Sequence, residues 1–344
     1  MSSSGSIPKT RVTIRDIARR ANVSASTVSR TLNNYPYVGD STRRLVRQAA
    51  AELGYQLDNL RSERPAINTI TLLIREEAHY RAVGESASDS VERLIMQGIQ
   101  AVLDAEGINS YLQRGHYDQD TAVRFIHADH IDGVIMLGGQ VHNHFVHALQ
   151  VGGLPFVIAG SHVLPMEVNA VMANVRYGIQ LAVDHLVAGG RRRIGLVNGP
   201  DLTTTSLEKL EGLICGLIRN SLPYLPEDVT AGYWNSESGY LRTLALLQER
   251  PDLDALIYSF DLMAIGGMRA LREMGKRIPD DIAVVGCHNT DVVRYTDPPM
   301  TSIGFDMYRV GVLAAQRLLN LLDDPNQEST LTIVPSRLLI RGST

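Results

Sequence analysis

The chain has 344 residues, 44% of them hydrophobic, so it can bury more than one core and is expected to fold as two or three domains. No run of about 18 apolar residues occurs, which excludes a membrane-spanning helix, and the amino terminus lacks the charged start and apolar stretch of a signal peptide. A cytoplasmic protein is therefore expected. Cys215 and Cys287 are far apart and have no paired His or Cys nearby, so neither a disulfide framework nor a zinc site has support.

The formal net charge of -4 is unevenly distributed along the chain. Residues 1–64 contain 11 basic and 5 acidic residues, a net charge of +6, whereas the remainder carries a net charge of -10. A small basic module on an acidic body is typical of a protein in which one module meets nucleic acid phosphate and the rest does not.

The basic region opens with a helix start signal. Thr13 stands where an N-cap is expected, and Asp16 occupies the reciprocal position of a capping box three residues later. Apolar residues follow at helical spacing as far as Ala21. Asn22 can adopt the left-handed conformation that ends such a helix.

Two further helices are predicted in this region. Ser24 can cap a second helix, in which Val28 and Leu32 are four residues apart and face the same way. Two helices joined by about three residues form a helix-turn-helix, the unit that docks in the DNA major groove. A third helix is predicted to start at Asp40 and to stop at Gly54. Its inward face is predicted to contain Leu45, Ala49 and Leu53.

The outward face of the second helix is the predicted DNA-reading surface. It presents Ala25, Ser26 and Arg30, and arginine bound bidentately to guanine is the commonest specific base contact. Short polar side chains near helix ends are suited to phosphate. The predicted phosphate contacts are Thr13, Ser24, Asn33 and Thr42. The alternative, a three-helix bundle with a solvated arginine, agrees less well with the local charge.

The residues of this region resemble the DNA-binding head of the lactose/galactose repressor family. The resemblance lies in the segments 13–18, 23–24, 27–33, 42–43 and 51–55. It implies that Ala25, Ser26, Arg30 and the loop residue Tyr37 contact bases. It also implies a hinge that follows the head and wedges a leucine into the minor groove. Leu60 is the candidate, in a stretch about two residues shorter than usual, and a solvated linker is the alternative.

Beyond residue 67, short apolar runs alternate with helical patterns. Such alternation with near-continuous apolar strands predicts parallel sheets covered on both faces, with ligands bound beyond the carboxyl ends of the strands. Strand-like runs occur at 70–74, 133–137, 155–159, 194–197, 255–258 and 282–286. Helical patterns occur near 91–105, 178–188, 209–219, 238–248, 262–274 and 310–322.

This region resembles the body of the same family, which is built like the two-lobed periplasmic sugar-binding proteins. The expected fold is a small all-α three-helix head with a helix-turn-helix, followed by an α/β body of two Rossmann-like, parallel-sheet subdomains. The expected boundaries are a disordered tail at 1–10, the head at 11–57, a hinge at 58–67 and the body at 68–344. The N-lobe is expected to contain 68–160 and 297–325, and the C-lobe 161–296 and 326–344.

The resemblance implies an effector pocket between the lobes, formed by Asp89, Lys209, Trp234, Asp261 and His288. Trp234 falls where relatives stack an aromatic ring on a sugar or base, and Asp261 matches the pocket carboxylate. Lys209 replaces the usual arginine and His288 replaces an aspartate. A carbohydrate is the expected effector, and the two replacements favour an acidic group on it. Each residue also has a purely structural interpretation, as a surface aromatic, a helix N-cap or a loop histidine.

These features predict a ligand-responsive repressor that binds a near-palindromic operator as a homodimer and uses no cofactor. An enzyme is not favoured, because nucleophile-elbow, P-loop and dinucleotide motifs are absent from the sequence. His142, His144 and His147 form a local cluster, but no carboxylate or cysteine stands nearby to complete a metal site. A periplasmic-type receptor would fit the body alone; the head and the missing signal peptide argue against it.

Overall fold

The computed structural model describes residues 12–32, 38–55, 69–75, 87–115, 119–126, 131–138, 141, 143–163, 167–201 and 203–344. The head contains three helices, α1 (Ile14–Ala21), α2 (Ala25–Leu32) and α3 (Asp40–Glu52). The backbone N–H and the hydroxyl of Thr13 donate to the carboxylate of Asp16 at 2.9 and 2.7 Å. Asn22 ends α1 with a φ of 52°. The predicted start and stop of the first helix are therefore confirmed.

The inward face of α3 differs from the prediction by one residue. Leu45 is 53% exposed, whereas Val46 is fully buried together with Ala49 and Ala50. These residues pack against apolar side chains of α1 and α2, among them Ile17. The prediction placed the larger leucine inside, but the two alanines on the same face allow α3 to approach its neighbours closely, and the smaller valine fills the remaining space.

The body contains two sheets of six strands each. The strands are β1 (Thr69–Arg75), β2 (Asn109–Gly115), β3 (Gly133–Leu137), β4 (Phe156–Ala159), β5 (Ala170–Ala173), β6 (Ile194–Asn198), β7 (Val229–Ala231), β8 (Ala255–Tyr258), β9 (Ala283–His288), β10 (Thr301–Phe305), β11 (Leu331–Val334) and β12 (Ser336–Leu339). The helices are α4 (Ala87–Ala105), α5 (Gln119–Ile126), α6 (Asn143–Gly152), α7 (Val175–Ala188), α8 (Thr204–Arg219), α9 (Ser236–Glu249), α10 (Asp261–Glu273) and α11 (Met307–Asp323).

The two sheets define two lobes. The N-lobe sheet has the order β11-β5-β4-β3-β1-β2 and is parallel throughout. The C-lobe sheet has the order β12-β10-β9-β8-β6-β7, and only β12 runs antiparallel to its neighbour. Strands β3, β4, β6 and β8 are buried along their whole length, as the continuous apolar runs predicted. The expected pair of parallel-sheet subdomains is confirmed.

The predicted lobe boundaries are wrong in three stretches. Strands β5 and β11 belong to the N-lobe sheet, although 161–173 and 326–334 were assigned to the C-lobe. Strand β10 belongs to the C-lobe sheet, although 297–305 was assigned to the N-lobe. The chain changes lobes only after these short strands have completed their pairing, between β5 and α7, between β10 and α11, and between β11 and β12.

Neighbouring positions on α3 test the observed packing of the head. Val46→Ala removes two fully buried methyl groups and is expected to cost about 1–3 kcal/mol. Leu45→Ala removes a larger but exposed side chain and is expected to change stability by less than ~0.5 kcal/mol. Hydrogen exchange of the α1 and α3 amides measures both effects. A greater loss of protection in Leu45→Ala than in Val46→Ala would support the inward face of α3 that was predicted from the sequence.

Candidate functional site

A cleft lies between the two lobes at the carboxyl ends of their strands, where ligands of open parallel sheets bind. The N-lobe contributes Val91, Glu92, Ile95, Gly138 and Gly160 to its lining. The C-lobe contributes Thr205, Lys209, Trp234, Phe260 and His288. The remaining lining residues, Ala173, Val175, Phe305 and Met307, flank two of the places at which the chain changes lobes.

Hydrogen bonds join the chain crossings at the floor of the cleft. The backbone N–H of Asn174 donates to the carbonyl of Val334 at 2.9 Å. The hydroxyl of Ser336 donates to the carbonyl of Asn174 at 2.6 Å. The first and third crossings therefore lie side by side, next to the residues that line the cleft. A ligand in the cleft contacts both lobes and the segments that connect them.

Three of the five predicted effector-binding residues line the cleft, namely Lys209, Trp234 and His288. The side chain of the fourth, Asp89 in the first turn of α4, lies outside the described part of the structure. The fifth, Asp261, does not line the cleft and is completely buried behind it.

Asp261 organises the loop that follows β9. Its carboxylate accepts hydrogen bonds from the hydroxyl of Ser302 at 2.7 Å and from the backbone N–H and hydroxyl of Thr290 at 2.7 and 2.8 Å. Burial raises the pKa of Asp261 to about 6, against the opposing effect of these donors. Because its oxygens hold the loop, Asp261 positions His288 rather than facing the cleft.

His288 ends β9 in a strained backbone conformation, with a φ of 94°. Its ring makes a tilted contact with Phe260 and an edge contact with Phe305, at centroid distances of 4.9 and 5.0 Å. Burial, together with the positive charge of Lys209, holds the pKa of His288 well below its usual value. The imidazole is therefore neutral at pH 7, and its buried Nδ1 has no hydrogen-bond partner among the described residues.

Lys209 reaches the cleft from the buried face of α8, and only 2% of it is exposed. Its ammonium donates to the carbonyl of Ser259 at 3.0 Å. Burial lowers the pKa of Lys209. The cleft thus presents a buried ammonium and a neutral imidazole on one side.

Trp234 is half-buried and packs over the loop that follows β6. A Cβ atom on Gly199 would overlap the indole nitrogen of Trp234, so the absence of a side chain there allows the close approach of ring and backbone. The indole is thereby held at the cleft as an aromatic platform.

Sequence reasoning missed the apolar walls of the cleft. Phe260 comes two residues after the end of β8, Phe305 ends β10, and Met307 begins α11. Position alone could have identified the two phenylalanines, because residues at the carboxyl ends of parallel strands face the ligand region. Their residue type could not have identified them, since an apolar side chain is equally consistent with a place in the hydrophobic core.

A polar contact joins the lobes beside the cleft. His162 follows β4 in the N-lobe, and its Nδ1 lies 3.9 Å from Oε1 of Glu208 on α8 of the C-lobe. The hydroxyl of Thr204 donates to the carbonyl of His162 at 2.9 Å. Burial lowers the pKa of His162 and raises the pKa of Glu208 to about 7. The distance and both shifts indicate a pair with little charge, rather than a strong ion pair.

The head presents part of the predicted DNA-reading surface. Ala25 is exposed at the start of α2. The Ser24 hydroxyl accepts from the backbone N–H of Thr27 at 3.1 Å, which confirms it as a cap, and lies 2.7 Å from the Ser26 hydroxyl. Thr13 is exposed at the start of α1, and Thr42 is partly exposed on α3.

Other predicted DNA contacts fall outside what the structure describes. Arg30 belongs to α2, but its side chain lies outside the described part. The predicted contacts Asn33, Tyr37 and Leu60 lie outside the described residues altogether, as does the predicted hinge.

The described part of the chain contains neither a metal-binding cluster nor a membrane-spanning helix. In the described ranges, no group of three or more His, Cys, Asp or Glu side chains is arranged to hold a metal ion. His142 of the local histidine cluster lies outside those ranges. No helix within the described part has both the length and the apolar character that a bilayer crossing requires.

Both parts of the chain match known protein families. Residues 13–58 match the model for bacterial regulatory proteins of the lacI family, and residues 183–344 match a periplasmic binding protein-like domain. The probable HTH-type transcriptional repressor ExuR of Bacillus subtilis is 28% identical over 342 residues, covering 96% of this chain and 98% of the relative. The HTH-type transcriptional repressor CytR of Escherichia coli is 27% identical over 341 residues, covering 98% and 97%.

Solved structures show the same architecture. A complex of the transcriptional regulator CelR with cellobiose is 27% identical to this chain, has a TM-score of 0.73, and covers 97% of this chain and 100% of that one. The Lac repressor dimer bound to operator and the anti-inducer ONPF is 26% identical, has a TM-score of 0.70, and covers 97% and 99%.

The Glu208 carboxyl predicts a pH-dependent effect on stability. The pKa of Glu208 is raised in the folded chain, so the protonated carboxyl contributes to folding stability. This contribution is fully present below pH 4.5 and is lost as the pH rises through about 7. At pH 8 the free energy of unfolding of Glu208→Gln, measured by urea unfolding, is therefore expected to exceed that of the parent by roughly 1 kcal/mol after allowance for solvent screening. At pH 4.5 the difference should nearly vanish. An equal difference at both pH values would contradict the raised pKa.

The contact between Gly199 and Trp234 predicts the effect of an added methyl group. Gly199→Ala is expected to displace the indole from the cleft and to shift its fluorescence emission to longer wavelength as the ring meets water. Gly189→Ala is the matched control, because a Cβ there makes only ordinary contacts, the nearest at 3.4 Å. Identical emission spectra of Gly199→Ala and the parent would show that the ring does not depend on this glycine.

Proposed function

Since the chain belongs to the lacI family of bacterial regulatory proteins, we propose that it is a DNA-binding transcriptional repressor controlled by a sugar or sugar derivative. One observation carries this proposal. A capped helix-turn-helix and a cleft at the carboxyl ends of two parallel sheets occur in the same chain, and the cleft adjoins the segments that connect the lobes. The complex of CelR with cellobiose supports a sugar ligand in the cleft, and the complex of the Lac repressor with operator supports DNA binding by the head.

The head reads the operator through the exposed side of α2. Base contacts are assigned to Ala25, Ser26, Arg30 and Tyr37, and phosphate contacts to Thr13, Ser24, Asn33 and Thr42. Ala25 and Ser26 are small, so they offer a methyl contact or a single hydrogen bond. Arg30 therefore carries most of the direct readout, and the shape of the DNA contributes the rest. Leu60 is assigned as the wedge in the minor groove.

The protein acts as a homodimer on cytoplasmic DNA, at the nucleoid. The Lac repressor binds its operator as a dimer, and two heads related by a two-fold axis match a near-palindromic sequence. The effector binds in the cleft on Lys209, Trp234 and His288. Its binding changes the angle between the lobes, and the body transmits that change to the heads. Effector and operator thus bias one equilibrium, so their coupling is reciprocal.

Substitution of Arg30 tests the DNA-reading assignment. Arg30→Ala is expected to reduce discrimination between operator and unrelated DNA by about 1–3 kcal/mol, because a bidentate contact to guanine is lost. Arg30→Lys keeps the charge but not the planar fork, so it should lose the same discrimination and retain most of the affinity for unrelated DNA. Fluorescence anisotropy with both DNA duplexes measures these changes. Unaltered discrimination in both variants would refute the role of Arg30.

A further inference from the structure

We infer that the effector carries a carboxylate, bound by the Lys209 ammonium and the His288 imidazole on the C-lobe side of the cleft. This inference rests on the proposed function and names the chemical class of its effector. Lys209 is buried, His288 is partly buried, and both line the same cleft. Contacts within the C-lobe hold both side chains in place but leave the Nδ1 of His288 without a hydrogen-bond partner among the described residues.

The described part of the chain gives the Lys209 charge only weak compensation, from Glu208, whose own pKa is raised to about 7. Its ammonium makes one hydrogen bond, to the Ser259 carbonyl, and no ion pair. A buried ammonium without a counter-charge is costly, because it has lost its hydration. The neighbouring Cys287 does not help, since burial raises the pKa of its thiol to about 12 and keeps it neutral. The site therefore favours a bound anion.

The carboxylates near Lys209 have other interactions. Asp261 accepts hydrogen bonds from Ser302 and Thr290 behind the cleft wall. Glu208 faces His162 of the other lobe. Glu92 lines the N-lobe side and already has an interaction of its own. No ion pair joins these carboxylates to the Lys209 ammonium in the described structure, and Glu208 acts on it only through space, so the ammonium can still bind a ligand anion.

His288 supplies the directional contact. Its ring is fixed between two phenylalanines, and its buried Nδ1 has no partner among the described residues. The neutral imidazole can donate one N–H to a carboxylate oxygen while the ammonium binds the other. The strained backbone at this position is held by the loop that Asp261 organises, which fixes the direction of the ring.

The described cleft matches a carboxylate better than a phosphate. A phosphate monoester carries about -1.5 to -2 charges and requires several strong donors. Here the cationic lining group is a single ammonium, from one of only three lysines in the chain, Lys9, Lys209 and Lys276. One ammonium neutralises one carboxylate. The Trp234 platform and the apolar walls fit a sugar ring, so the inferred ligand is a sugar acid.

Fluorescence of Trp234, the only tryptophan in the chain, reports binding in the cleft. The probes are glucuronate and galacturonate, each compared with the neutral glucose or galactose, and glucose 6-phosphate represents the phosphate class. At least one sugar acid is expected to bind about 10- to 100-fold more tightly than its neutral counterpart, the factor that a charged hydrogen bond provides. Equal affinity for acid and neutral sugars, a preference for the phosphate, or no response to either acid would overturn the inference.

Variants separate a ligand role of Lys209 from a structural one. Lys209→Met should lose the acid preference and Lys209→Arg should retain it, whereas Lys276→Met, the control, should match the parent. The melting temperature of ligand-free Lys209→Met should equal or exceed that of the parent, because a buried charge is removed. A clear fall would identify Lys209 as a structural donor to Ser259 and overturn the inference. Operator binding by the same protein tests the proposed function separately, since it does not require an acidic effector.

Discussion

The three places at which the chain passes between the lobes are the constraint on which the rest of the body depends. They lie side by side, because Asn174 is hydrogen-bonded to both Val334 and Ser336, and Phe305 at the second crossing pairs with Ser336. Short segments that join two packed domains are the places that act as hinges in domain closure. Phe305 and Met307, beside another crossing, form part of the cleft floor. A ligand that contacts both lobes can shift a conformational equilibrium only if it binds one arrangement of the lobes more tightly than another.

The C-lobe side of the cleft depends on a carboxylate that is buried behind the cleft wall. Asp261 receives hydrogen bonds from Ser302, 41 residues away, and from Thr290, 29 residues away. The sequence identified Asp261 as important but assigned it the wrong neighbours, because donors so distant in the chain come together only in the folded sheet. Lys209 and His288 line the cleft, as the resemblance to the family implied, and their binding of an effector stays a prediction.

The predictable parts of the fold are those with local causes. The capped start and left-handed end of α1 were read from Thr13, Asp16 and Asn22, whose roles depend on neighbours within a few residues. Six strands were found because their apolar runs are continuous, whereas the buried strands β5 and β10 were not recognised. Edge strand β2 was missed, since Tyr111 and Leu112 on it are exposed and give no such run. The lobe boundaries failed for another reason: they depend on which distant strand β5 and β11 pair with.

The central claim is that the cleft and the helix-turn-helix bias one shared equilibrium, and reciprocity tests it most directly. The dissociation constant of the cleft ligand, read from Trp234 fluorescence, would be measured with and without saturating operator DNA. The dissociation constant of the operator would be measured with and without saturating cleft ligand. Both constants should change by the same factor, because a coupling free energy belongs to the pair of sites. An operator affinity that is indifferent to a saturated cleft would contradict the claim.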